Sequence, residues 1–199
     1  MDADRIVTVA LELLDREGFE GLTMRALAKR LRVENPALYW HFKNKQAIVD
    51  AMANRLLERS LITRRANEPW DRWLRRSIAA FRGALLSHRD ATRVVAEADL
   101  SQSKWVEAHV AARAELEREG FSKKDALLAL VTLSDFTLGA TWEQEADPRD
   151  KPKGRDAMFQ SGVTLILAGL AGRLHTPSRG SAPKGKGAVY HARPWRSSS

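Results

Sequence analysis

Between residues 24 and 45 stand Arg25, Lys29, Arg30, Arg32, Lys43 and Lys45, opposed by one acid, Glu34, a local charge of +5. Interleaved with them are Asn35, Pro36, Ala37, Tyr39, Trp40 and His41. Cations at this density neutralise phosphates, while short polar and small residues suit the edges of bases. Asn35 can reach a base edge or a phosphate, and Ala37 is small enough to approach a thymine methyl. Tyr39 and His41 offer hydrogen bonds to phosphate oxygens. Arg25 is long enough for guanine, and Lys45 can pair with the backbone of the opposite strand. Without its spacing, the same run of charge would equally suit a solvated helix face.

Other chemistries find less to work with. The chain has no cysteine, so it holds no disulfide, thiol nucleophile or Cys-ligated metal. Ser87, His88 and Asp90 sit within one helical turn, where a nucleophile, a base and an orienting acid cannot line up. The expected role of His88–Asp90 is to close a helix junction. The five histidines, His41, His88, His109, His175 and His191, show neither HxxxH nor HExxH spacing. The sequence therefore predicts no enzyme, no metal site and no cofactor.

Positioning such side chains requires helices, and the pattern supplies them. Ile6, Ala10, Leu13 and Leu14 form an amphipathic stripe that should end at Gly18. Thr23 is placed to cap a short second helix, and Pro36 to open a third running to about Phe42. The first turn of that third helix would direct free N–H groups at phosphate. Asn44 caps a fourth helix carrying Ile48, Met52 and Leu56. Helix, turn and short helix predict a helix-turn-helix whose second helix enters the major groove. Phe42 should be core, Trp40 either core or contact, and Lys29 and Arg30 plain surface charges.

Helices resume near Pro69, break at His88–Asp90 and continue to about Leu100. Ser101 is placed to cap a segment to about Glu119, and Ser122 with Asp125 resembles a capping box. A buried helix is expected over 123–145, a polar loop over 146–156 and a last helix over 157–174. The reading is all-α in three parts: a helix-turn-helix domain over 1–46, a second helical domain over 47–174 with a connecting helix at 47–62, which the family likeness given next implies is a ligand-binding and dimerisation domain, and a disordered tail over 175–199. A chain of 199 residues can bury roughly 70% of its unfolded surface, enough for an unstapled core. Of the net charge of +8, five belong to the tail, which alone could bind nucleic acid or an anionic surface non-specifically. No targeting segment is read, and the longest uncharged stretch, 159–172, is too short to span a bilayer. The expected location is the cytoplasm, with no membrane partner.

The segment ALELLDREGFEGLTMRALAKRLRVENPALYWHFKNKQAIVDAM closely resembles the N-terminal domain of the tetracycline repressor (TetR) family, with YWHFKNK as its strongest marker. FRGALLSHRD at 81–90 and DFTLG at 135–139 resemble that repressor's ligand domain, so the likeness spans residues 4 to about 174. It implies a ligand-responsive homodimeric repressor that binds double-stranded operator DNA and is released by a small-molecule effector. The implied DNA contacts are Arg25, Asn35, Pro36, Ala37, Tyr39, Trp40, His41 and Lys45. The implied pocket positions are Leu61, Ser77, Phe81, Val95, Ala98, His109, Ala112, Leu130, Ser134 and Glu143, each also readable as core and His109 as solvent-facing. Two departures stand out. Arg32 occupies a turn position where the family usually has Gly, at a cost of about 1 kcal/mol if the left-handed geometry is kept. Leu61, Ser77 and Val95 replace groups that hold tetracycline and magnesium, and only Glu143 is retained, which implies a more apolar effector. The stripe Phe159, Val163, Ile166, Leu167, Leu170 and Leu174 is the implied dimer interface, although such a helix could also pack within its own subunit.

Overall fold

The computed structural model describes residues 2–146 and 152–174; the 175–199 tail and residues 147–151 of the expected 146–156 loop lie outside the described residues. The described residues form helices α1 (Ala3–Gly21), α2 (Met24–Leu31), α3 (Asn35–Tyr39), α4 (Lys45–Glu58), α5 (Trp70–Leu85), α6 (Ala91–Glu97), α7 (Lys104–Arg118), α8 (Lys123–Ala146) and α9 (Pro152–Leu174).

Capping residues fix most starts. The Asp2 carboxylate accepts from the Arg5 N–H, the Thr23 hydroxyl from Ala26 and the Asn44 amide oxygen from Ala47, so each side chain satisfies one orphan first-turn donor. The Ser122 hydroxyl accepts from the Asp125 N–H at 3.1 Å and donates to the Asp125 carboxylate at 2.7 Å. Two expectations are corrected. Ser103, not Ser101, caps α7, because its hydroxyl is the one that meets the Val106 N–H. Helix α9 begins at Pro152, five residues earlier than expected, since proline is well suited to a first helical turn. Gly18 breaks the regular helix where the sequence expects it to end, with φ 70° and ψ −179°, and a short further helical piece runs on to Gly21.

Two apolar cores result. The first joins α1, α2, α3 and α4 through Ile6, Leu14, Leu27, Leu38, Ile48 and Met52, and takes in Phe81, Leu85, Val94 and Val95 from α5 and α6. The second joins α5, α7, α8 and α9 through Trp73, Leu116, Leu130, Leu133, Phe159 and Val163. Helix α6 therefore belongs to the core of the N-terminal helices. Burial of this kind stabilises by roughly 1.5–3 kcal/mol per large apolar side chain.

The stripe expected at a dimer interface is corrected by this packing. Phe159, Val163, Leu167 and Leu170 are buried in the second core, with Ile166 and Leu174 packed against it. The opposite side of α9 leaves Met158 and Leu165 each 75% exposed, near-neighbours in type to Leu128 and Trp142, which are exposed on α8. Helix α9 is apolar on both sides, and Gly154–Leu174 is long and apolar enough by composition to cross a membrane. The 14-residue stretch read from the sequence understates it.

Candidate nucleic-acid interface and effector pocket

Helix α3 is very short, and its anchors explain what it presents. Leu38 is fully buried and Phe42 nearly so, and these two pin the α3 segment to the domain. Both the His41 and Phe42 N–H groups donate to the Leu38 carbonyl, so α3 stops at Tyr39 and not near Phe42. With Leu38 and Phe42 turned inward, Asn35, Pro36, Tyr39, Trp40 and His41 are left exposed, Trp40 at 89%. Ala37 is half-buried beside them. At this exposure Trp40 is not a core residue. The expected phosphate cradle of free N–H groups is corrected: Pro36 has none, and the Ala37 N–H donates to the Glu34 carbonyl at 3.0 Å. Side chains, not backbone donors, are what α3 offers.

The turn before α3 is a left-handed cap. Arg32 has φ 57° and ψ 43°, and the Val33 N–H reaches back to the Ala28 carbonyl at 3.1 Å while the Arg32 N–H meets Lys29 at 3.2 Å. This is the Schellman arrangement that glycine normally serves. Arg25, Lys29, Arg32 and Lys43 are exposed and make no ion pair among the described residues. Arg30 is different, pairing with Glu12 at 3.2 Å.

Lys45 has a second task that its position in the sequence did not reveal. Its ammonium donates to the Phe19 carbonyl at 3.2 Å and lies 4.3 Å from the Phe19 ring centroid. The Arg93 guanidinium lies over the same ring, also at 4.3 Å. The Phe19 N–H donates to the Asp90 carboxylate at 2.8 Å, and Arg93 pairs with Glu20 at 2.7 Å. Gly18 makes this possible: a Cβ there would stand 2.9 Å from the Asp90 Oδ2. Nearby, Asp15 accepts from the Arg89 N–H and contacts the His88 Nδ1. Ser87 donates to the Ala84 carbonyl. Ser87, His88 and Asp90 thus point to three separate partners, and the last two tie α6 to the end of α1. Gln46 adds a tie from α4, donating to the Glu97 carbonyl at 2.9 Å. The α6 segment is therefore bonded directly to α1 and α4.

Of the expected pocket residues, the structure brings four into one region. The Phe81 ring packs on Trp105 at 4.7 Å, Trp105 on His109 at 4.5 Å, and the His109 Nε2 meets the Ser134 hydroxyl at 3.2 Å. The fourth, Leu61, shares a cleft with Trp105. His109 is half-buried, not solvent-facing, and burial pushes its pKa below the usual imidazole value, so it is neutral at pH 7. Ser77 is half-buried, and its hydroxyl oxygen is buried without a hydrogen bond. Val95 and Ala98 lie with the first core, and Ala112 and Leu130 with the second. Glu143 is exposed and stands apart from this group. Sequence reasoning missed Trp105, although an aromatic four residues before His109 on one helix is a readable sign of a shared face.

One further acid was missed. Glu145 accepts a hydrogen bond from the Thr92 hydroxyl, and its other oxygen is buried without a partner. Burial, with a smaller push from Asp90, raises its pKa to about 7. Among the described residues, no group of three His, Asp or Glu is placed to hold a metal ion.

Comparison with known proteins agrees with this geometry. The family described as bacterial regulatory proteins, tetR family, matches residues 6–52, which span α1 to most of α4. The class C tetracycline repressor protein of Escherichia coli is 39% identical over 85% of this chain and 90% of its own length. A solved structure of class A TetR in complex with 5a,6-anhydrotetracycline and magnesium superposes with a TM-score of 0.75 at 38% identity, covering 87% of this chain and 99% of that one. BioQ with its double-stranded DNA operator gives a TM-score of 0.71 at 33% identity, covering 86% and 98%. An all-helical chain with an N-terminal helix-turn-helix, similar along most of its length to these regulators, belongs to the TetR family of DNA-binding transcriptional regulators.

Proposed function

We propose that this chain is a homodimeric repressor that binds a palindromic operator through residues 1–46 and releases it when residues 47–174 take up a small, fairly apolar effector in the cytoplasm. The observation that carries the DNA reading is the exposed set Asn35, Pro36, Tyr39, Trp40 and His41 around buried Leu38 and Phe42, flanked by unpaired cations. Arg25 and Asn35 would read base edges, Ala37 would meet a thymine methyl, and Tyr39, His41 and Lys45 would hold phosphates. Two such units about 34–36 Å apart would engage successive major grooves.

For the dimer, the supporting feature is the apolar face left uncovered, Met158 and Leu165 on α9 with Leu128 and Trp142 on α8. A second copy related by a two-fold axis would cover it as a four-helix bundle. The buried stripe Phe159–Leu170 would then support that face from inside its own subunit. For release, the bonds that join α4 and the start of α6 to Phe19 supply a route: an effector that favours another arrangement of α6 would shift the spacing of the two DNA-binding units.

Tetracycline with magnesium is not the effector in this reading. Leu61 and Val95 offer no metal ligand, and Glu143 is exposed and apart from the aromatic group. The roles are tested by anisotropy titration of Asn35→Ala against DNA from upstream of its own gene and against single-base variants of it. The reading expects altered preference among these sites; equal weakening on all of them would refute it.

A further inference from the structure

A cleft of about 240 Å³ opens between the last turns of α4 and the first turn of α7. Its apolar walls are Leu57 and Leu61 on one side and the Trp105 indole on the other, and Glu58, Gln102 and Lys104 stand around it. We propose that this cleft is the effector subsite of this chain and that it takes an uncharged bicyclic aromatic molecule carrying one hydroxyl or carbonyl group. The proposal rests on the effector-responsive reading above and names the ligand class for it.

Size is the first argument. A dry cavity of about 150 Å³ holds benzene. A cleft of about 240 Å³ has room for two fused rings. Shape is the second. Trp105 is already engaged on its interior side by Phe81 and His109, so it is a fixed aromatic wall. A planar ring stacked on such a wall gains from both apolar burial and ring–ring contact.

Charge is the third argument. The two ions at the cleft, Lys104 and Glu58, pair with each other at 3.2 Å. Each ion is thus already matched by the other, so the cleft presents no unmatched charge to attract an ionic ligand, and a neutral one suits it. Asn54 and Ser103 also line the cleft and are each hydrogen-bonded to backbone, whereas Gln102 makes no hydrogen bond among the described residues. Its amide can serve one hydroxyl or carbonyl. The place in the fold matters as well: α4 begins at Lys45, which is bonded to Phe19, so a ring wedged at its far end bears on the helix that joins the two units.

The test is calorimetric titration of the full chain at pH 7.4 with 2-naphthol, 2-naphthoate and 1-naphthylmethylammonium, with operator affinity followed in parallel. The neutral probe is expected to bind about tenfold more tightly than either ion, a gap of about 1.4 kcal/mol. Trp105→Ala should weaken 2-naphthol by about tenfold. Lys104→Glu changes only an exposed residue and places a second acid beside Glu58, so it should turn preference toward the ammonium probe. Equal binding of all three probes, or selectivity untouched by both variants, would overturn the proposal. No binding of 2-naphthol with operator affinity intact overturns the subsite alone. Selective binding without loss of operator affinity upholds the subsite as a ligand site and overturns its part in release.

Discussion

Arg32 is the residue whose replacement should raise stability and lower DNA affinity at once. It holds φ 57° and ψ 43° between α2 and α3. A non-glycine residue in that region carries a steric cost of roughly 1–2 kcal/mol. Glycine removes that cost and adds unfolded-state entropy of roughly 0.5–1 kcal/mol. The net gain for Arg32→Gly is therefore about 0–1.5 kcal/mol, which for a chain of this size raises Tm by up to about 3–6 °C. Arg32→Ala keeps the Cβ, and with it the strain, and should leave Tm within about 1 °C of the parent. Both substitutions remove an exposed cation that makes no ion pair among the described residues. If Arg32 meets phosphate, both should lower the slope of log K against log salt by about 0.9 per chain. Thermal denaturation separates the strain effect, and anisotropy over a salt series separates the charge effect. Equal stability of the Gly and Ala variants would refute the left-handed cap as the reason Arg32 is costly.

Three other outcomes follow from the packing and the charges. Leu165→Glu should yield a folded monomer by light scattering and circular dichroism, because Leu165 is 75% exposed, whereas Leu167→Ala, at a position 3% exposed, should cost about 2–5 kcal/mol of stability. Gly18→Ala should cost about 1–3 kcal/mol, since φ is 70° and the new Cβ would press on the Asp90 carboxylate that holds Phe19. Glu145 has a folded pKa of about 7 against an ordinary value of 4.5, so the unfolded chain loses that proton first. Stability should therefore fall as pH rises from about 4.5 toward 7, and denaturant melts of Glu145→Gln should lose that slope and show higher stability than the parent at pH 8.

How much of this was legible in the sequence depends on how local the cause is. Thr23, Asn44 and the Ser122–Asp125 pair act within one turn of their own helix, and each caps where its residue type predicts. The left-handed turn at Arg32 was legible through the family likeness, because that position usually holds glycine. Phe42 was recognisable as an anchor and is buried. The face of α9 was not legible. Phe159, Val163 and Leu167 alternate with Met158, Leu165 and Ala168 around the same helix, so periodicity alone could not say which side meets the subunit's own core. The same limit hid the work of Lys45. Its partner Phe19 lies on α1, 26 residues away, and only the folded chain brings the two together. Trp105 and Glu145 owe their settings to α5 and α6, and no spacing along α7 or α8 announces those neighbours.

The central claim is that a dimer reads a specific DNA sequence through the exposed residues around Leu38 and Phe42. Its most direct test is anisotropy titration of the full chain against labelled DNA from upstream of its own gene, with a scrambled duplex of equal length and composition as competitor, at a salt concentration of about 0.15 M. The account predicts preference for the native sequence by at least about a thousandfold, with two chains bound per site. Equal affinity for the native and scrambled duplexes, or saturation by a single chain, would contradict it.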